Sequence, residues 1–135
     1  MGRKQAREGT MQLLFQMEIN EDYSNEVLDI YLQNFEFDNL ETKYIMDAIT
    51  SIKENLEVID SHIASHLEGW DLDRLAKVDL SALRIAIYEI LYREDIPVEV
   101  SINEAVETVK KYSSEDSFKF VNGVLGSFVR SIEKD

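Results

Sequence analysis

The chain has 135 residues, of which 44% are hydrophobic, with one proline and five glycines. That is enough apolar material for one buried core and too few turn formers for a many-stranded sandwich. The absence of cysteine excludes disulfides, thiolate catalysis and Cys-ligated zinc or iron–sulfur centres, and the net charge of −13 opposes a polyanionic partner unless positive charge is segregated.

It is segregated. Between Glu18 and Asp73 fifteen acidic residues face only Lys43 and Lys53, whereas the first seven residues hold Arg3, Lys4 and Arg7 with no acid, and nine basic residues face eleven acidic ones from Arg74 onward. With a screening length of ~8 Å at physiological salt, a distant acidic face hardly opposes a basic patch. Nucleic-acid binding is therefore permitted, and expected to be weak and salt-sensitive without a partner. The N-terminus lacks the apolar run of a signal peptide and no segment has the length of a membrane span, so a cytoplasmic protein without membrane contact is expected.

Taken in order, about Arg3 to Ile19 reads as a first helix, with Leu13, Leu14 and Met17 turned inward and Ala6 and Thr10 a turn or two earlier. Arg3, Lys4 and Arg7 stand near its start, where cations suit the dipole poorly. Both a solvated helix end and a functional basic patch are open, and arginine suits RNA because its planar head bridges phosphates and stacks on bases. Phe15, two turns beyond Arg7, fits either the core or the same surface. A second helix spans about Asn25 to Phe35, with Val27, Leu28, Tyr31 and Leu32 as its apolar face. Asp38-Asn39-Leu40-Glu41 has the form of a capping box. From Ile45, apolar residues at 45, 49, 52, 56, 59 and 63 predict one continuous helical stripe, which fits packing within the monomer and also a coiled-coil seam, leaving a homodimer open. His62 and His66, at i and i+4 with Asp60 and Glu68 nearby, have a spacing that can hold a metal. No HExxH or repeated ExxH accompanies them, two solvated histidines ahead of Gly69 are simpler, and no metal or cofactor is expected.

Trp70 to Leu75 reads as a short helical turn, with Trp70 plugging the junction between two halves. Val78 and Asp79 begin the next helix, Asp79 as N-cap. Leu80, Leu83, Ala86, Ile87, Ile90 and Leu91 make it the most apolar segment, and Arg84 and Glu89 within it are expected to pair structurally. Pro97 marks a break. Ser101-Ile102-Asn103-Glu104 is a second capping box, starting a helix with Ala105, Val106 and Val109 inward and Lys110 and Lys111 closing its last turn. Ser113 to Asp116 caps a final helix with the stripe Phe118, Val121, Leu125, Phe128, Val129 and Ile132. Lys119 and Phe120 lie off that stripe, an aromatic beside a cation on the surface, suited to stacking and charge contact with a ligand. Gly123 and Gly126 interrupt the same helix, where glycine costs up to ~1 kcal/mol, and suggest close packing or ligand approach. The rhythm of caps and breaks predicts an all-α compact domain of about seven helices, two small bundles over about 1–67 and 71–135 packed as one. Nucleophile-elbow, Walker and dinucleotide motifs are absent, so no catalysis is expected.

Ile96-Pro97, the run Ser101 to Val106 (SINEAV), the run Lys119 to Leu125 (KFVNGVL) and Leu83 to Glu89 (LRIAIYE) resemble, in order and spacing, the NusB family of transcription antitermination factors. The resemblance reaches back to Arg7-Glu8 and covers essentially the whole chain. It implies an all-helical, non-catalytic RNA-binding protein that recognises the boxA element of nascent RNA with the small-subunit ribosomal protein NusE, in the company of other antitermination factors and RNA polymerase, supporting rRNA transcription. It further implies that Arg3, Lys4, Arg7, Phe15, Asp79, Tyr112, Asp116, Lys119 and Phe120 lie on or near the RNA surface. Asp79 and Asp116 do not attract phosphate, and are read as helix caps or as acceptors for base amino groups. The other reading is a helical scaffold whose acidic N-terminal half docks a basic protein without RNA contact.

Overall fold

Lys77–Tyr92 is the helix around which the others are arranged, in a computed structural model that describes residues 2–69 and 71–133. In chain order the helices are α1 (Arg3–Asn20), α2 (Asn25–Asn34), α3 (Asn39–Glu54), α4 (Leu56–Ser65), α5 (Lys77–Tyr92), α6 (Val98–Tyr112) and α7 (Glu115–Glu133), with a 3-10 turn at Leu72–Arg74 before α5. Every residue of α5 from Asp79 to Glu89 is buried, and the helix packs against α1, α3, α4, α6 and α7. A helix apolar on nearly all sides is stable only when so surrounded. Burial of Leu80, Leu83 and Ile87 stabilises it by about 1.5–3 kcal/mol each. One hydrophobic cluster runs from Ala6 in α1 to Phe128 in α7, across the boundary between the two expected bundles. No described helix is long and apolar enough to cross a membrane.

Local chemistry accounts for the helix ends. Glu21 adopts φ 53°, the left-handed conformation that closes α1, while the Asp22 amide donates to the Met17 carbonyl at 3.0 Å. The Asp38 capping box forms as expected: Asp38 Oδ1 accepts from the Glu41 amide at 2.7 Å and Glu41 Oε1 from the Asp38 amide at 2.9 Å. The expected continuous stripe from Ile45 is split. Asn55 has φ −116° and ψ 20°, and its side-chain amide donates to the Ser51 carbonyl at 2.8 Å, a local bond that competes with helix continuation. Ile45, Ile49, Ile52, Ile59 and Ile63 are still fully buried within the monomer, so the stripe offers no coiled-coil seam.

Other expectations are corrected. α6 starts at Val98 with Pro97 at its N-cap, a full turn before Ser101, because the Pro97 carbonyl already accepts from the Val100 and Ser101 amides. Ser101 and Glu104 therefore form no capping box. α5 has Ala76, not Asp79, at its N-cap. At α7 the Ser117 amide donates to Ser114 Oγ at 3.1 Å, which leaves Asp116 in the exposed first turn rather than capping it. Gly123 and Gly126 meet no neighbouring helix: a Cβ at Gly123 would find nothing within 4 Å, and one at Gly126 would meet only Arg130 Nη1 at 3.3 Å. The close approach is instead at Gly9, where a Cβ would lie 2.8 Å from the ring of Phe37 in the connection between α2 and α3. His62 and His66 are half-buried rather than solvated, with ring centroids 5.1 and 6.1 Å from that of Phe128. The place expected for Trp70 lies outside the described residues.

Candidate RNA interface

Two buried polar clusters set the positions of the surface side chains. At one end of α5, Glu89 is fully buried and accepts from Arg7 Nε at 2.7 Å, Arg7 Nη2 at 3.1 Å, Ser101 Oγ at 2.8 Å and the Tyr44 hydroxyl, tying α1, α3 and α6 to α5. Burial disfavours the Arg7 charge, but hydrogen bonding and attraction from Glu89 more than offset it and hold the guanidinium more firmly protonated than usual. Arg7, 7% exposed, is therefore an internal tie and not the surface cation expected from the sequence. Near the middle of α5, Arg84 donates to both Asp60 oxygens at 2.8 Å, to Glu18 at 2.9 Å and to the Tyr23 hydroxyl at 2.8 Å. The expected structural roles of Arg84 and Glu89 thus hold.

With Arg7 turned inward, the remaining N-terminal cations separate. Arg3 lies over the Tyr44 ring at 5.3 Å and 4.0 Å from Asp95, in a groove it shares with Lys43 and Arg93. Lys4 points to the other side, into a groove of about 290 Å³ between α1 and α6, lined also by Lys110, Lys111 and Thr108 and by the carboxylates Glu8, Glu104 and Glu107. Glu8 closes this groove: it accepts from Lys111 Nζ at 3.1 Å and from the Tyr112 hydroxyl at 2.8 Å. Burial pushes the Glu8 carboxyl up, and the hydrogen bonds from Tyr112 and Lys111 outweigh it, leaving the group below its usual range. Lys4 and Tyr112 are brought together in this way although 108 positions separate them in the sequence.

A second groove, of about 250 Å³, lies between the start of α5 and α7. Its floor is Asp79, 5% exposed, whose Oδ2 accepts from Ser117 Oγ at 2.8 Å. Asp79 Oδ1 is buried with no hydrogen-bond donor among the described residues. Arg74, Leu75, Asp116 and Phe120 form the walls. Phe120 is half-buried against the core, with its remaining surface open to the groove, and Lys119 beside it is exposed. A ring and a cation at this groove offer stacking and charge contact, and just beneath its floor lies a strong acceptor without a donor among the described residues. Asp79, Asp116 and Phe120 are therefore gathered at one site; Arg3 and Arg7 are not part of it.

Phe15 is 37% exposed and Ile19 54%, one turn apart on α1, so Phe15 belongs to the surface and not to the core. It shares a helix face with Lys4 and Glu8, being seven residues beyond Glu8. Sequence reasoning missed Glu8, Arg74 and Ser117. Glu8 stood four residues after Lys4, a helix-face signal that was present, whereas the Arg74 and Ser117 roles come from long-range packing that no local spacing encodes.

Comparison with known proteins bears on the family and the fold. The model of the NusB family matches residues 4–130. The chain is 43% identical over 134 residues to the transcription antitermination protein NusB of Clostridium acetobutylicum, covering 99% of each sequence. It is 46% identical over 125 residues to that of Ruminiclostridium cellulolyticum, covering 93% of this chain and 86% of the relative. Among solved structures, T. maritima NusB matches with a TM-score of 0.87 at 38% identity, over 96% of this chain and 93% of that one. A chain from the crystal structure of antitermination factors NusB and NusE in complex with dsRNA matches with a TM-score of 0.84 at 27% identity, over 96% of each.

Proposed function

The chain belongs to the NusB family of non-catalytic transcription antitermination proteins, and from that membership we propose that it binds boxA-like RNA together with ribosomal protein NusE in the cytoplasm, supporting rRNA transcription. Other antitermination factors and RNA polymerase complete the assembly in which it acts. The observation that carries this reading is the Asp79 groove. A buried carboxylate oxygen without a donor costs about 1–3 kcal/mol, and the exocyclic amino group of an unpaired base supplies the missing donor while its ring stacks on Phe120. Phosphates then fall to Lys119, Arg74 and, beyond Tyr112, to Lys111 and Lys4.

NusE is assigned to the apolar pair Phe15 and Ile19, which borders the acid-rich stretch beginning at Glu18 and so suits a basic protein with an apolar anchor. This joins the two readings of the sequence: the acidic half docks a protein, and the docked protein adds affinity for RNA.

Competition binding with NusE present tests the proposal. An unpaired boxA-like strand is expected to displace a labelled copy far better than the same sequence locked in a duplex, and Ile19→Glu is expected to abolish the gain that NusE provides without changing the weak binding to RNA alone. Equal displacement by strand and duplex, or the same affinity with and without NusE, would remove the support for it.

A further inference from the structure

Phe120 also borders a further groove, most of which lies beyond the expected contacts Lys119 and Phe120. It has a volume of about 410 Å³ and runs along α7 past Lys119, Gly123, Ser127 and Arg130, with His66 and Glu68 on its far wall. The four α7 residues are spaced 4, 4 and 3 apart and so share one helix face. Lys119 and Arg130 stand about 16 Å apart along the axis, eleven residues at ~1.5 Å each. Part of the floor between them is bare backbone: Gly123 is exposed and a Cβ there would touch nothing. Gly126 has a different use, because the Arg130 guanidinium folds back over it, Nη1 lying 3.3 Å from where a Cβ would stand. That places the arginine head over the groove, in the direction side chains lean on a helix. His66 is fixed as a wall by Ser127 Oγ, 2.8 Å from its Nδ1.

Glycine inside a helix is destabilising, and neither glycine here serves the packing of a neighbouring helix. A flat floor with a cation at each end fits an extended polyanion whose sugars or bases lie on the backbone while its phosphates meet the charges. Glu68 opposes this charge, being one carboxylate against two full cations. The groove also shares the Phe120 ring with the one where the base is held.

We propose that this α7 groove carries the RNA strand onward from Phe120, with one phosphate on Lys119, a later one on Arg130 and the nucleotides between them passing over Gly123. The inference rests on the RNA-binding role proposed above and adds to it a second subsite with a length requirement. An acidic segment of a protein is the competing occupant, and the Phe120 ring shared with the base-holding groove favours RNA.

Binding to a short boxA-like RNA and to versions lengthened by a few nucleotides, one end at a time, with NusE present, tests this. One of the two extensions is expected to tighten binding to the unaltered protein. Arg130→Gln is expected to remove that gain, about two- to fivefold, and to lower the salt slope for the long RNA by nearly one, while leaving the short RNA unaffected. Gly123→Leu fills the floor at an exposed helix position, so it is expected to raise Tm and yet lose the same gain, which an unfolding variant would not do. If neither extension tightens binding, or if Arg130→Gln weakens NusE binding instead, the subsite is wrong. Should Phe120→Ala still weaken both RNAs in that case, only this subsite fails; should Phe120→Ala be without effect, the RNA role itself fails and takes the subsite with it.

Discussion

Arg7 and Glu89, 82 positions apart in the sequence, are joined by two hydrogen bonds of 2.7 and 3.1 Å in the interior, and this pair is what fixes the basic end of α1 onto the rest of the molecule. Removing one partner leaves the other charge buried alone. Arg7→Ala is expected to destabilise by about 3–5 kcal/mol, read as the shift in the urea midpoint. Replacing both residues with apolar ones, Arg7→Met with Glu89→Leu, is expected to recover much of the loss. A small effect of Arg7→Ala on stability, with a large one on RNA affinity, would return Arg7 to the surface.

Acid is expected to weaken the fold through Glu18. Burial raises its pKa, but hydrogen bonds from Tyr23 and Arg84 lower it further, so the net position is below the ordinary 4.5. A carboxylate depressed on folding contributes stability that is complete above the unfolded value and lost as pH falls through the folded one. Urea unfolding across that window should show a steeper decline for the unaltered protein than for Glu18→Gln.

The same cluster predicts an alkaline limit. Burial and the bond to Glu18 push Tyr23 up to about 12 from 10.0. A raised folded value means stability that is intact below the unfolded pKa and lost as pH rises through the folded one. Burial also raises Tyr31, Tyr44 and Tyr88, so tyrosinate absorbance should show several phenols ionising late, and Tyr23→Phe should remove one of those late steps.

Asp79→Asn separates binding from stability. The Asn oxygen keeps the bond from Ser117, while its amino group takes the place of the unpaired oxygen and repels a base donor. Tm is expected to hold or rise, and affinity for the matching RNA to fall by about 1–3 kcal/mol. Equal affinity of both forms for RNA would show that no base donor reaches Asp79.

Lys4→Ala is expected to weaken all RNA sequences alike and to reduce the salt slope by nearly one, as the loss of one phosphate contact should. A change confined to one sequence would mean that Lys4 reads a base.

Helix number and the inward stripes were legible because each amphipathic period has one good burial solution: Leu13, Leu14 and Met17 in α1 and the isoleucines of α3 and α4 point where their spacing says. Helix starts were legible where the cap is purely local, as at Asp38, and misread at Ser101 and Asp79. There the same polar side chains serve partners far away in the sequence, Glu89 and Ser117. The site was legible in part for the same reason. Phe120 and Lys119 stood out by departing from an apolar stripe, whereas nothing near Arg7 announced that a buried glutamate 82 residues away would claim it. Local spacing carries no information on which cation finds an interior partner.

The most direct measurement is titration of labelled boxA-like RNA into the NusE complexes of the unaltered protein and of Phe120→Ala, under matched salt. Stacking on Phe120 predicts that the substitution weakens binding by about 1–3 kcal/mol with Tm little changed. Indistinguishable affinities for the two proteins would contradict the assignment of the α5–α7 groove as the place where RNA is held.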